Sequence, residues 1–162
     1  MAKKRRVTQK KAKQGKMRVL VVEARYYENI AEQLLSGAMR ALDEADAEVE
    51  KMAVPGALEI PPAVAIAVEA AVRQKRPYDG VVALGCVIQG QTFHFDVVAM
   101  QSARALMDFS VTHRLPAGNG ILTVDNEAQA LSRANLDDGD KGGEAAKAAL
   151  ALIALKRGGD KR

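Results

Sequence analysis

Apolar positions along the chain fall into short runs, each followed by a stretch with helical spacing. The first run, RVLVVEA (18–24), is rich in β-branched residues and ends in a polar loop. Behind it, Ile30, Leu34, Ala38, Leu42 and Ala45 recur at the spacing of one buried helix face, with Asn29 and Glu32 placed like a capping box at its start. AEVEKMAV (47–54) alternates as a half-buried strand does and stops at Pro55-Gly56. Pro61 and Pro62 suit the first turn of a second helix, where a missing N–H leaves nothing unpaired, and an alanine-rich segment carries it to about Arg73. YDGVVALG (78–85) is an unbroken apolar run, the mark of a strand covered on both faces. Phe95, Val98, Ala99, Ala103, Leu106 and Ser110 predict a helix ending near His113. GNGILTV (118–124) predicts a fourth strand, and Asn126 opens a short helix through Ala134 that NLDDGDKGG breaks. A last helix from about Gly143 reaches Lys156-Arg157 and stops at Gly158-Gly159.

The order β-α-β-α-β-α-β-α, with connections long enough for parallel crossovers, predicts a three-layer α/β/α domain around a four-stranded parallel sheet. So small a sheet leaves exposed edges, which implies that neighbouring subunits cover them. Ligands of such sheets sit beyond the carboxyl ends of the strands, which singles out the loops at 24–28, 55–60, 85–94 and the approach to 125. The 162 residues suit one domain, 17–158, between a basic arm (1–16) and a short tail (159–162).

Charge changes this picture at one end only. Nine of the 24 basic residues lie in residues 1–18, which hold no acid; the remaining 15 face 20 acids, so residues 19–162 carry −5 against a net +4 for the whole. The folded part is acidic. The arm reads as a solvated, disordered tail, and any contact with nucleic acid would run through it alone. No apolar run is long enough to span a membrane, and the N-terminus lacks the apolar stretch of a signal peptide, so a cytoplasmic protein is expected. The single cysteine, Cys86, rules out an internal disulfide framework and a cysteine-rich zinc site.

Candidate chemistry concentrates behind the third strand. In GCVIQGQT (85–92) a glycine, four residues and a second glycine mimic a phosphate-binding P-loop, but Gln91 stands where its lysine belongs. A triphosphate is therefore a poor fit and a monophosphate a better one, held by the N–H groups of Gln91 and Thr92 at a helix start; a plain strand-to-helix turn explains the glycines equally well. His94 follows at once, and an imidazole, which titrates near neutrality, suits proton transfer. Tyr26-Tyr27, after the first strand, offer an aromatic face for a planar ring or ordinary half-buried packing. Glu59 falls where a helix dipole favours a carboxylate whatever its function, Arg133 and Lys141 flank the break between the last two helices, and Cys86 reads as structural. The two histidines are 19 residues apart with no clustered acids, so no metal site is expected. These residues define an α/β enzyme or binder of a small phosphorylated or planar ligand.

Taken in order, VVEARYY, VPGALEIP, YDGVVALGCVIQGQTFHFD, GNGILTVDNEAQALSRA and DKGGEAAKAAL resemble the lumazine synthase family over about residues 18–157, with VPGALEIP and G-x-T-x-HFD the most specific segments. The resemblance implies a flavodoxin-like, homo-oligomeric fold and a step of riboflavin biosynthesis. In it, 5-amino-6-(D-ribitylamino)uracil and 3,4-dihydroxy-2-butanone 4-phosphate give 6,7-dimethyl-8-ribityllumazine, phosphate and water, without cofactor or metal. By motif it implies that Tyr26 stacks on the pyrimidine, that Ala57, Leu58, Glu59, Cys86, Val87 and Ile88 hold the ring edge and ribityl chain, and that Gln91, Thr92, Arg133 and Lys141 take the phosphate. His94 would be the catalytic proton-transfer residue. It also implies a homopentamer with sites shared between neighbours, the 119–141 side of one subunit facing the 26–94 side of the next, a sixty-subunit shell in some members, and a functional link to riboflavin synthase.

The chain departs from the family pattern at three places. Gln89 replaces an arginine, Asn119 replaces an aromatic of the fourth strand and offers a hydrogen bond to the pyrimidine in its place, and Tyr27 replaces a frequent asparagine. Altered binding is expected from these changes, with the reaction retained. The competing readings are a flavin- or lumazine-binding carrier without turnover and a shell whose basic arm binds nucleic acid.

Overall fold

A computed structural model of the chain describes residues 15–158. The basic arm, through residue 14, and the tail, 159–162, lie outside the described residues.

The elements alternate: β1 (Arg18–Ala24), α1 (Glu28–Glu44), β2 (Glu48–Val54), a 3₁₀ turn (Ala57–Glu59) leading into α2 (Ile60–Arg73), β3 (Gly80–Ile88), α3 (His94–His113), β4 (Ala117–Val124), α4 (Glu127–Ala134) and α5 (Lys141–Lys156). The four strands form one sheet in the order β2-β1-β3-β4, parallel throughout. The inner strands β1 and β3 are the two continuous apolar runs, and alternation sorts their side chains onto two cores. Val19, Val21, Val82 and Leu84 pack under α1, α4 and α5. Leu20, Val22, Val81 and Ala83 pack with Ile60, Val64 and Ala67 of α2 and Leu106 of α3. This is the three-layer α/β/α arrangement, and no helix in it is long and apolar enough to cross a membrane.

Three local details differ from the sequence reading. β3 does not end at Gly85; it pairs with β4 through Ile88↔Val124, and Gln89 N–H still donates to the Val124 carbonyl at 2.8 Å. Gly85 therefore lies inside a strand, in register with Ile121, and the apparent P-loop spacing has only one glycine in the loop, Gly90. α1 begins at Glu28 behind Tyr27, with no side-chain cap; Asn29 Oδ1 instead accepts from Gln33 Nε2 at 3.4 Å. The Tyr27 ring packs on the core and draws the chain into the helix early, so the Asn29–Glu32 box does not form. α5 starts two residues before Gly143, capped by Asp140, whose Oδ1 accepts the Gly143 N–H at 3.2 Å.

The helix α3 is poorly covered. Of its 20 residues only Ser102 and Leu106 are buried. Val97, Met100, Met107 and Val111 of its outer face, and Phe93 just before it, are exposed. A stripe of that length on one helix is a surface made to be covered.

Candidate active site

The carboxyl ends of β1, β2 and β3 surround a cavity of about 480 Å³. The β1–α1 turn contributes Tyr26 and Tyr27, the β2–α2 turn Pro55 through Glu59, and the last turn of β3 Cys86, Val87 and Ile88. Gly90, Thr92, His94, Phe95 and Val98 close it from the loop and first turns of α3. Each wall follows from a strand that stops at the same edge, which is why residues 26, 57 and 94 meet. Phe95 and Val98, which mark the helical spacing of α3 in the sequence, are half-buried and line the cavity.

Within it, Tyr26 is 75% exposed, with its ring edge-on to that of Tyr27 at 4.9 Å between centroids. An aromatic so exposed beside a cavity offers a flat apolar face. The His94 N–H lies 3.4 Å from Thr92 Oγ1, which turns the loop into α3, and the His94 side chain is exposed at the first helical position. Burial alone pushes the Cys86 thiol up to about 11, so at neutral pH it is a neutral wall and no nucleophile. Glu59 closes the 3₁₀ turn, its N–H donating to the Gly56 carbonyl at 3.1 Å. Gln91 is exposed and stands in the loop between Gly90 and Thr92 without lining the cavity.

The other three residues singled out by the sequence lie elsewhere. Asn119, Arg133 and Lys141 line a second cavity of about 380 Å³ formed by β4, α4 and α5, which shares no residue with the first. Thr123 and Glu144, which the sequence reading did not single out, line it too. Lys141 Nζ is 2.6 Å from Glu144 Oε2, and Arg133 Nη1 donates to the Gln129 carbonyl at 3.1 Å. Val81 and Gln89 donate to the carbonyls of Pro116 and Val124, so even-numbered β4 residues turn their backbone to β3 and odd-numbered ones to the open edge. There the Asn119 carboxamide oxygen accepts the Ile121 N–H at 3.0 Å. That bond occupies its oxygen and leaves its Nδ2 as the group it can offer outward.

A parallel α/β domain that gathers an aromatic face, a histidine and an open turn at the carboxyl edge of its sheet is built to take a small molecule there. The chain matches the 6,7-dimethyl-8-ribityllumazine synthase family over residues 16–157 and belongs to it. Among its relatives, a 6,7-dimethyl-8-ribityllumazine synthase of Methylobacterium sp. (strain 4-46) is 67% identical over 140 residues, 86% of this chain and 77% of the relative. The Azorhizobium caulinodans protein of that description is 59% identical over 142 residues, 88% of each chain. That of Nitrobacter hamburgensis is 54% identical over 140 residues, 86% of each.

Proposed function

We propose that this chain condenses 5-amino-6-(D-ribitylamino)uracil with 3,4-dihydroxy-2-butanone 4-phosphate to 6,7-dimethyl-8-ribityllumazine, releasing phosphate and water, as a transferase of riboflavin biosynthesis. Beyond family membership, one observation carries the reading: a single cavity gathers the ring-stacking candidate Tyr26, the 57–59 turn, the end of β3 and His94. The pyrimidine lies on Tyr26, with Ala57, Leu58, Glu59, Cys86, Val87 and Ile88 along its edge and ribityl chain. The phosphate rests on the loop at Gln91 and Thr92. The ring amine attacks the ketone and water leaves to give an imine; a proton leaves the neighbouring carbon as the phosphate departs; the enol left behind becomes a ketone, and the second amine attacks it and expels a second water to close the ring. Each step moves a proton, and His94 is the group placed to relay it. Charge on the departing phosphate is met by donors fixed beforehand, Arg133 foremost. Holding two reactants in one cavity supplies much of the acceleration.

Family members assemble into oligomers, and we propose a homopentamer here, in which the second cavity of one subunit closes over the first cavity of its neighbour. Asn119, Arg133 and Lys141 then complete a site that one chain leaves half-built, and the apolar stripe of α3 is covered by the neighbouring copy. A riboflavin synthase consumes the product. Purified protein given both substrates should release phosphate and form the fluorescent lumazine; release no faster than without protein would sink the reading.

A further inference from the structure

The turn that presents Tyr26 is held by a guanidinium to which the reaction as described assigns no part. Glu23, near the end of β1, is 6% exposed, and Arg25 Nη1 reaches both of its oxygens at 3.0 Å. Arg25 Nη2 reaches forward to Glu28 Oε2 at 3.0 Å and to Glu32 Oε2 at 3.1 Å, on the first two turns of α1. The Arg25 backbone N–H donates to the Val54 carbonyl at 3.4 Å, tying the same residue to the end of β2. With no side-chain cap on α1, this fork is what fastens the helix start to the strand end. Tyr26 sits between the fastened residue and Tyr27, whose own ring is anchored on the core and meets Tyr26 edge-on.

We propose that Arg25 is a positioning residue for the reaction: by clamping Glu23, Glu28 and Glu32 it fixes the β1–α1 turn and so the face of Tyr26 on which the pyrimidine ring stacks, an inference that rests on the stacking role of Tyr26. The clamp does not touch the substrate. An exposed ring held from both sides loses little freedom on binding, whereas a ring on a loose turn must be ordered by its ligand.

The test is a double-mutant cycle on the assembled enzyme, reading KM for the ribitylaminopyrimidine, kcat, and the binding of the product lumazine by its fluorescence. Arg25→Gln should raise KM and weaken product binding by about five- to tenfold, the worth of a stacking contact, with kcat changed less than about twofold. Arg25→Lys keeps the charge beside Glu23 but not the fork, and should recover only part of the loss. In a Tyr26→Ala background, Arg25→Gln should add nothing. Should Arg25→Gln fold poorly because it strands the Glu23 carboxylate, the double variant Glu28→Ala/Glu32→Ala removes only the exposed arms of the fork and should still raise KM about threefold. Tyr26→Ala without a change in KM overturns the stacking role and the inference with it. A raised KM in Tyr26→Ala beside an unchanged KM in Arg25→Gln, or losses that multiply in the double variant, overturns the inference alone.

Discussion

The proposed two-chain site can be taken apart and put back together. His94→Ala damages only the half-site on β1, β2 and β3; Arg133→Ala damages only the half on β4, α4 and α5, and the two halves share no residue. Losing a proton relay lowers turnover by about 10²–10³-fold. Losing one charge-assisted pair to the phosphate costs about 2 kcal/mol, or roughly 30-fold in KM for the phosphorylated substrate. Each variant alone is therefore nearly silent at low substrate. When the two are co-expressed in equal amounts, a given site draws an intact His94 half from an Arg133→Ala chain half the time, and an intact Arg133 half from a His94→Ala neighbour half the time. About one site in four is then wild type, because a heterologous interface joins unlike faces of successive subunits. The assay is phosphate release from doubly tagged, tandem-purified mixed assemblies, with separately assembled variants mixed afterwards as the control. Phosphate release at low substrate near a quarter of the wild-type rate supports the shared site. Mixed assemblies no more active than the mean of the two variants would refute it and place the whole reaction within one chain.

Two further outcomes are expected. A Cβ at Gly118 would lie 1.9 Å from the Ala145 carbonyl oxygen, whereas one at Gly90 meets nothing within 4 Å, so Gly118→Ala should destabilise by about 3 kcal/mol or more and Gly90→Ala by less than about 0.5; equal denaturation midpoints for the two would overturn this. Burial holds Cys86 up at about 11 and, together with a hydrogen bond to Glu50, Tyr78 up at about 12, so above the ordinary thiol range the unfolded chain gives up protons the folded one keeps. Stability should thus be full below about pH 8.5 and fall from there through pH 11, with a shallower fall in Cys86→Ala; a flat profile from pH 8 to 11 would contradict it.

The layers were legible because the two inner strands are buried on both faces and read as unbroken apolar runs, while β2, on an edge, alternates. The lining of the first cavity was legible for a related reason: strand ends converge in a parallel sheet, so residues after successive strands meet whatever their separation. Gly85 misled because a glycine in a buried strand and one in a loop look alike until the partner strand is known, and β4 pairs past it. The α1 capping box failed because a tertiary contact, the Tyr27 ring on the core, outweighed a local signal. Arg25 was missed because its three carboxylate partners lie two, three and seven residues away, and spacing gives no sign that one guanidinium serves them all. The family resemblance, and not periodicity, set Arg133 and Lys141 across from the histidine.

Under the proposed shared site, the separation of the two cavities sets how many chains must come together before any of them works. On the shared-site proposal each chain brings two unlike half-sites, one at each cavity, and owns no whole one. An open row of such chains always leaves a donor half idle at one end and an acceptor half idle at the other, so it has one site fewer than it has members. Closing the row recovers that site without adding a residue. Ring closure is then a gain in catalytic capacity as well as in covered apolar surface, and dilution below the assembly threshold should switch the reaction off before it unfolds a single subunit.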